Sequence, residues 1–346
     1  MATNSNTTIL LTGVTGYLGG HIALELLRLG YHVRGSMRDL ARADHVRQAL
    51  SAQGADLSKM TFVQLDLTQD AGWDEASTGA DYLMHVASPF VTAMPKDKMQ
   101  LIGPAVEGTE RALQAALKAG VKRVVLTSSS VAIVNGRGAS GPSELGPSDW
   151  ADPESGKLNA YAESKTRAEM RAWEIMQAAG RGKDLTVINP GFILGPLLDE
   201  DPGTSGDLMR RMLNGEFPAV PDLYLHLIDV RDLARIHCAA LTNEVTFGCR
   251  VPAAFEIQSL REFGDALKAA LPERADQLPK LTLPNWAVRI YALFNPDIRA
   301  NLVELGYHPS LDASRGQTLL KQDPVPTQDT IADMARSLAH HGLLSG

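Results

Sequence analysis

The chain has 346 residues, of which 44% are hydrophobic and 21% charged, and a formal net charge of −7. That length supports two lobes or one enlarged domain with a sizeable core, while the acidic balance disfavours a nucleic-acid partner and no apolar run approaches the ~18 residues needed to span a bilayer. Two cysteines, Cys238 and Cys249, support neither a disulfide framework nor a four-ligand metal site, and the polar start from Met1 to Thr8 lacks the basic and apolar regions of a secretory signal, so a cytoplasmic location is expected.

Residues 8–11 form the first β-branched run and predict a strand. Residues 17–29 follow with Leu18, Ile22, Leu26 and Leu29 at helical spacing, and Gly30 is placed to end that helix in the left-handed conformation. Further strands are predicted at 32–36, 61–65, 82–86, 123–127 and 185–189, and two more long helices at 101–119 and 161–179. Strands alternating with helices predict an α/β fold, a Rossmann-type doubly wound parallel sheet whose ligand crevice lies at the carboxyl ends of the strands. After Pro190 the alternation fades, leaving helix-length pieces at 204–214, 230–241, 259–270 and 330–341. The expected division is a dinucleotide-binding domain over 1–190, with a returning segment near 226–242, and a smaller, mainly substrate-binding C-terminal lobe over 191–346.

Between the first strand and first helix the chain reads Thr12-Gly13-Val14-Thr15-Gly16-Tyr17-Leu18-Gly19. Gly13 permits the tight turn, Gly16 lets the backbone approach a pyrophosphate, and Gly19 lets the helix pack closely on the strand. Tyr17 and Leu18 open a helix whose N-terminal N–H groups suit phosphates. The second strand ends in Gly35-Ser36-Met37-Arg38-Asp39, without an acid at the strand end itself. Ser36 and Arg38 suit a ribose 2′-phosphate, which favours NADPH/NADP+ over NAD(H); the alternative is that Asp39 swings in to bind the 2′-hydroxyl of NAD. Asp66 and Leu67 after the third strand are placed for the adenine, and the small pair Ala87 and Ser88 after the fourth lets backbone approach the adenosine ribose and phosphates.

In the middle of the chain stands Tyr161-Ala162-Glu163-Ser164-Lys165. Tyr161 and Lys165 are four apart on a predicted helix and share a face. An ammonium beside a phenol is expected to lower its pKa from ~10, making Tyr161 a general acid toward a carbonyl oxygen and the base in the reverse direction. Lys165 is also placed to hold the nicotinamide ribose. Ser128, Ser129 and Ser130 follow the fifth strand, and a hydroxyl there can bind the substrate oxygen as charge develops; spacing alone does not choose among the three. The glycine motif and the Tyr/Lys pair together point to a nicotinamide-dependent oxidoreductase.

Thr12–Gly19, 33–39, His85-Val86-Ala87-Ser88-Pro89-Phe90, Thr127-Ser128-Ser129, Asp149-Trp150, Tyr161–Lys165, Asn189-Pro190-Gly191 and Asp229-Val230-Arg231-Asp232 give the chain its resemblance to a known family. It resembles the extended short-chain dehydrogenase/reductases, in the branch of dihydroflavonol reductases, cinnamoyl-CoA reductases and NADPH-dependent aldehyde and methylglyoxal reductases. The resemblance implies that Ser129 is the catalytic serine, that Arg38 is a 2′-phosphate ligand, and that Pro190 and Ile193 meet the nicotinamide carboxamide.

Candidate substrate-pocket residues are Phe90, Val131, Ile133, Phe192, Leu197, Phe217 and Tyr224. Their apolar character suits an aromatic or aliphatic aldehyde or ketone better than a phosphorylated sugar. Reduction of a hydrophobic carbonyl is therefore the leading expectation. Oxidation of a secondary alcohol, such as a 3-hydroxysteroid or a benzylic alcohol, is the alternative; a nucleotide-sugar epimerase and a non-catalytic cofactor sensor rank below both. The expected partner is a small molecule, with no metal, no nucleic acid and no membrane, and the chain is expected to be a monomer or homodimer.

Overall fold

The computed structural model describes residues 6–89 and 97–345. Its strands are β1 (Thr8–Thr12), β2 (His32–Met37), β3 (Met60–Gln64), β4 (Tyr82–His85), β5 (Arg123–Thr127), β6 (Glu144–Leu145), β7 (Leu185–Pro190), β8 (Phe192–Leu194), β9 (Ala219–Val220), β10 (Tyr224–Asp229), β11 (Cys249–Ala253), β12 (Glu256–Ser259), β13 (Leu281–Thr282) and β14 (Ser310–Leu311). The helices are α1 (Tyr17–Arg28), α2 (Ala43–Ala52), α3 (Trp73–Ser77), α4 (Met99–Lys118), α5 (Val131–Val134), α6 (Ala160–Ala178), α7 (Gly203–Leu213), α8 (Val230–Ala240), α9 (Leu260–Ala270), α10 (Asn285–Tyr291), α11 (Pro296–Ala300), α12 (Ser314–Leu320) and α13 (Thr327–His340).

Seven strands build one parallel sheet in the order β11-β7-β5-β4-β1-β2-β3. This is the doubly wound arrangement expected from the alternation of strands and helices. Strand periodicity explains how one sheet serves two cores. In β1, Ile9 and Leu11 point to the face covered by α1 and α8, and Leu10 to the face covered by α4 and α6; all three are fully buried. On the first face Leu18, Ile22 and Leu26 of α1 meet Leu233 and Ile236 of α8, each buried aliphatic side chain contributing about 1.5–3 kcal/mol. Helix α1 stops where the sequence predicts: Gly30 adopts φ +83, its N–H reaches the Leu27 carbonyl, and Tyr31 N–H reaches that of Leu26, which is a Schellman closure.

The six expected strands are present, but β11 was not legible. It reads Cys-Arg-Val-Pro-Ala, too mixed for a strand pattern, and Pro252 is tolerated because β11 is the edge of the sheet. The remaining chain builds a second core around the sheet β12-β10-β8, with Met209 and Met212 of α7, Phe263 and Leu267 of α9 and Met334 and Leu338 of α13.

Candidate active site

The register of the central sheet lays Thr12 beside Ser36 and His85, so the carboxyl ends of β1, β2 and β4 form one rim. Above it opens a crevice of about 1670 Å³. Gly13 adopts φ +75, and a Cβ there would lie 2.9 Å from the Ala87 Cα, so the turn after β1 and the loop after β4 meet backbone to backbone. A Cβ on Gly19 would overlap the Gly13 carbonyl, so α1 starts directly against that turn.

Gly13, Gly16, Tyr17, Leu18, Ser36, Arg38, Asp66, Leu67, Ala87, Ser88, Lys165, Pro190 and Ile193 all line this crevice. Arg42 joins them, a residue the sequence analysis passed over; it ends the short turn Leu40–Arg42 that Asp39 caps. Two guanidinium groups beside Ser36 fit a dinucleotide carrying a 2′-phosphate. Asp39, the alternative, is not part of the crevice lining; its carboxylate accepts the Ala41 N–H at 2.9 Å and so caps the short turn that follows. Asp66 is similarly engaged through one oxygen, which accepts from the Thr68 N–H and hydroxyl at 2.8 Å each. These bonds hold its pKa below the usual carboxylate range.

The candidate catalytic groups come together. Tyr161 lies in the first turn of α6, started by Asn159, whose side chain accepts the Ala162 N–H at 2.8 Å. The Ser129 and Tyr161 hydroxyls lie next to each other, and Lys165 Nζ lies 6.0 Å from the centre of the Tyr161 ring. Ser129 and Lys165 are buried, whereas Tyr161 remains 37% exposed toward the crevice. The electrostatics correct one expectation. Although the Tyr161 side chain is partly exposed, desolvation by the protein packed around it raises its pKa, with Ser129 acting in the opposite direction, and burial lowers Lys165 to about 8. In low dielectric both charged forms are costly, so the amine does not simply pull the phenol down. Ser128 turns away from the crevice oxygen site and donates to buried Glu169 at 2.6 Å.

Of the proposed substrate-pocket residues, Val131, Phe192, Phe217 and Tyr224 line the crevice. Ile133 and Leu197 do not. Ile133 lies on the far side of α5 against Leu145 and Tyr307, and Leu197 belongs to the second core. Phe90 lies outside the described residues. The crevice also takes Leu223, Leu225, Val288 and Tyr291 from the second lobe, and His226 and Glu304 are among its polar groups. His226 donates Nε2–H to the Pro309 carbonyl at 2.8 Å, and Glu304 accepts the Gly136 N–H at 2.8 Å while burial pushes its pKa up. No periodicity marks these positions, because each faces the crevice only after the lobe has folded.

Among the described residues no cluster of side chains is suited to a metal ion, and no helix is long and apolar enough to cross a membrane. The family model described as the NAD dependent epimerase/dehydratase family matches residues 9–249. The chain is 38% identical over 232 residues to tetraketide alpha-pyrone reductase 2 of Arabidopsis thaliana, covering 64% of this chain and 70% of that one. It is 30% identical over 295 residues to the putative NADPH-dependent methylglyoxal reductase GRP2 of Candida albicans, covering 80% and 86%. Among solved structures, yeast methylglyoxal/isovaleraldehyde reductase Gre2 complexed with NADPH matches 98% of this chain and 100% of its own with a TM-score of 0.79 at 25% identity. These similarities bear out the resemblance drawn from the sequence motifs.

Proposed function

Because the chain belongs to the NAD dependent epimerase/dehydratase family, we propose that it reduces a hydrophobic aldehyde or ketone to the alcohol, with Tyr161 as the proton donor. It is an NADP-dependent oxidoreductase acting on carbonyl groups. The observation that carries the mechanism is that Ser129, Tyr161 and Lys165 line one crevice, with the Ser129 and Tyr161 hydroxyls adjacent.

Residues 1–190, with the returning segment near 226–242 and strand β11, would hold the cofactor, and most of 191–346 the substrate. The turn Gly13–Leu18 suits the diphosphate, Ser36, Arg38 and Arg42 the 2′-phosphate, Asp66 and Leu67 the adenine, Ala87 and Ser88 the adenosine ribose and phosphates. Lys165, Pro190 and Ile193 suit the nicotinamide end. When bound, NADPH supplies the hydride to the carbonyl carbon.

The chain's own groups handle the oxygen. Ser129 and Tyr161 donate hydrogen bonds to it, and the raised pKa of Tyr161 keeps its hydroxyl protonated at neutral pH, ready to act as the acid. As negative charge develops, the proton passes from Tyr161 Oη to the substrate oxygen, and the phenolate left behind is stabilised by the Lys165 ammonium. Val131, Phe192, Phe217 and Tyr224 exclude water and receive the apolar part of the substrate.

The test is NADPH oxidation, with NADH as comparison, across aromatic aldehydes, α-diketones, steroid ketones and a dihydroflavonol. Turnover is expected with NADPH for at least one class, and Tyr161→Phe should lower kcat by about 10²–10⁴-fold while leaving NADPH affinity nearly unchanged. Silence across the panel, or a Tyr161→Phe variant as fast as the wild type, would overturn the reading.

A further inference from the structure

Behind Ser129, Tyr161 and Lys165 lies an ion pair that the mechanism above leaves idle. Glu169 stands one turn beyond Lys165 on α6, and Arg250 lies in the edge strand β11; their side chains are 0% and 5% exposed and meet at 2.6 Å, Nε to Oε1. Glu169 Oε2 also accepts the Ser128 hydroxyl at 2.6 Å and Asn189 Nδ2 at 2.8 Å. Every partner is a donor, so the group acts as a carboxylate. Asn189 Nδ2 reaches on to the Ser129 carbonyl at 3.3 Å. Arg250 is fixed from the other side by the carbonyls of Ala132, Pro147 and Asp149, and its guanidinium lies 3.7 Å from the centre of the Trp150 ring.

Desolvation makes a buried pair of this kind a weak source of net stability, which leaves room for a role at the site in front of it. The groups around Lys165 suggest which. Lys165 and Glu169 line one cavity of about 20 Å³ between α4, α6 and the ends of β4 and β5, together with Thr109, His85, Thr127 and Ser128. Thr109, Thr127 and Ser128 are neutral hydroxyls, and burial and the Lys165 charge hold His85 uncharged with a pKa of about 3. Tyr161 stays protonated. Glu169 is thus the anion facing Lys165, and it acts against the burial that favours the neutral amine.

Resting on the catalytic reading above, we propose that Glu169 is a positioning residue: locked by Arg250, it supplies the counter-charge that keeps Lys165 an ammonium and fixes the Ser128–Ser129 turn that binds the substrate oxygen. Glu169→Gln alone strands the Arg250 charge and can unfold the chain, so the double variant Glu169→Gln/Arg250→Met, which removes both charges, is made beside it. Lys165 is titrated by ¹⁵N NMR in the cofactor-free, lysine-labelled protein, its signal assigned by its loss in Lys165→Met. The midpoint is expected to fall by about one pH unit in either variant that folds, and the alkaline limb of kcat to move down with it. The charge-conserving Glu169→Asp should keep the wild-type midpoint. A folded variant without the carboxylate but with an unchanged Lys165 midpoint overturns the proposal, because a purely structural role would alter stability and leave the titration alone. The titration needs no turnover, so it separates failure of this proposal from failure of the catalytic reading, which Tyr161→Phe reports on its own.

Discussion

The Thr12 hydroxyl ties the ends of β1 and β4 together by donating to His85 Nδ1 at 2.9 Å. Its oxygen is already occupied as an acceptor, taking the N–H groups of Val86 and Ala87 at 3.0 Å each, so the proton must point to the ring. His85 is therefore neutral, with its other nitrogen protonated, and the loop carrying Ala87 and Ser88 is set by one side chain of the neighbouring strand.

Thr12→Val keeps the volume and removes all three bonds. Leaving these groups without a partner should cost about 2–3 kcal/mol in urea unfolding, and NADPH affinity should fall because Ala87 lines the crevice. A loss below about 0.5 kcal/mol would show that the hydroxyl does not set the loop.

Arg38→Ala and Arg42→Ala should each weaken NADPH binding by about 10–100-fold, the worth of a charge-assisted contact, and leave NADH binding little changed. Titrating both cofactors against each variant checks this. Equal losses for NADPH and NADH would remove the 2′-phosphate assignment.

Lys165, lowered to about 8 by burial, gives reduction its expected alkaline limit. Its ammonium is present below that pH and is lost as pH rises through it, so kcat should be level below about pH 8 and decline above. The same shift is a stability cost, fully present below the folded pKa and relieved as pH rises toward the unfolded value near 10.5. Lys165→Met should therefore abolish turnover yet stabilise the fold at pH 7, by about 3 kcal/mol. A variant less stable than the wild type at pH 7 would contradict the cost.

His21, His85 and His237 are buried, which lowers them from 6.5 to about 4, about 3 and about 4. The unfolded chain takes up these protons below about pH 6.5 while the folded chain refuses them. The stability tied to their neutral forms is complete above that pH and is lost as pH falls toward 4, at about 1.4 kcal/mol per pH unit for each histidine. Urea midpoints measured at pH 7.5, 6, 5 and 4.5 should fall ever more steeply. A flat profile between pH 6 and 5 would show that these rings are charged in the fold.

Much of the cofactor half could be read in advance, for local reasons. The β1 run Thr-Ile-Leu-Leu-Thr, the glycines at 13, 16 and 19 and the stop at Gly30 each specify their conformation through their own backbone and immediate neighbours. Arg38 was legible as a crevice residue because it directly follows a strand end, whereas Arg42 reaches the crevice only through the short turn after Asp39. Ile133 and Leu197 were misread because apolar composition alone does not tell a pocket wall from a core.

By itself, the sequence determined the class of fold, through the alternation of strands and helices, and the glycine turn after β1 and the one-turn spacing of Tyr161 and Lys165, which depend on residues within a few positions of one another. The tertiary structure alone decided which serine meets Tyr161, how far burial shifts the two titrating groups, and which residues of the second lobe face the crevice. It also decided that Arg250, 81 residues beyond Glu169, closes the charge balance behind the site. Hydrogen bonding within a turn or helix is set by local spacing, whereas desolvation and charge pairing depend on what the whole chain packs around a group.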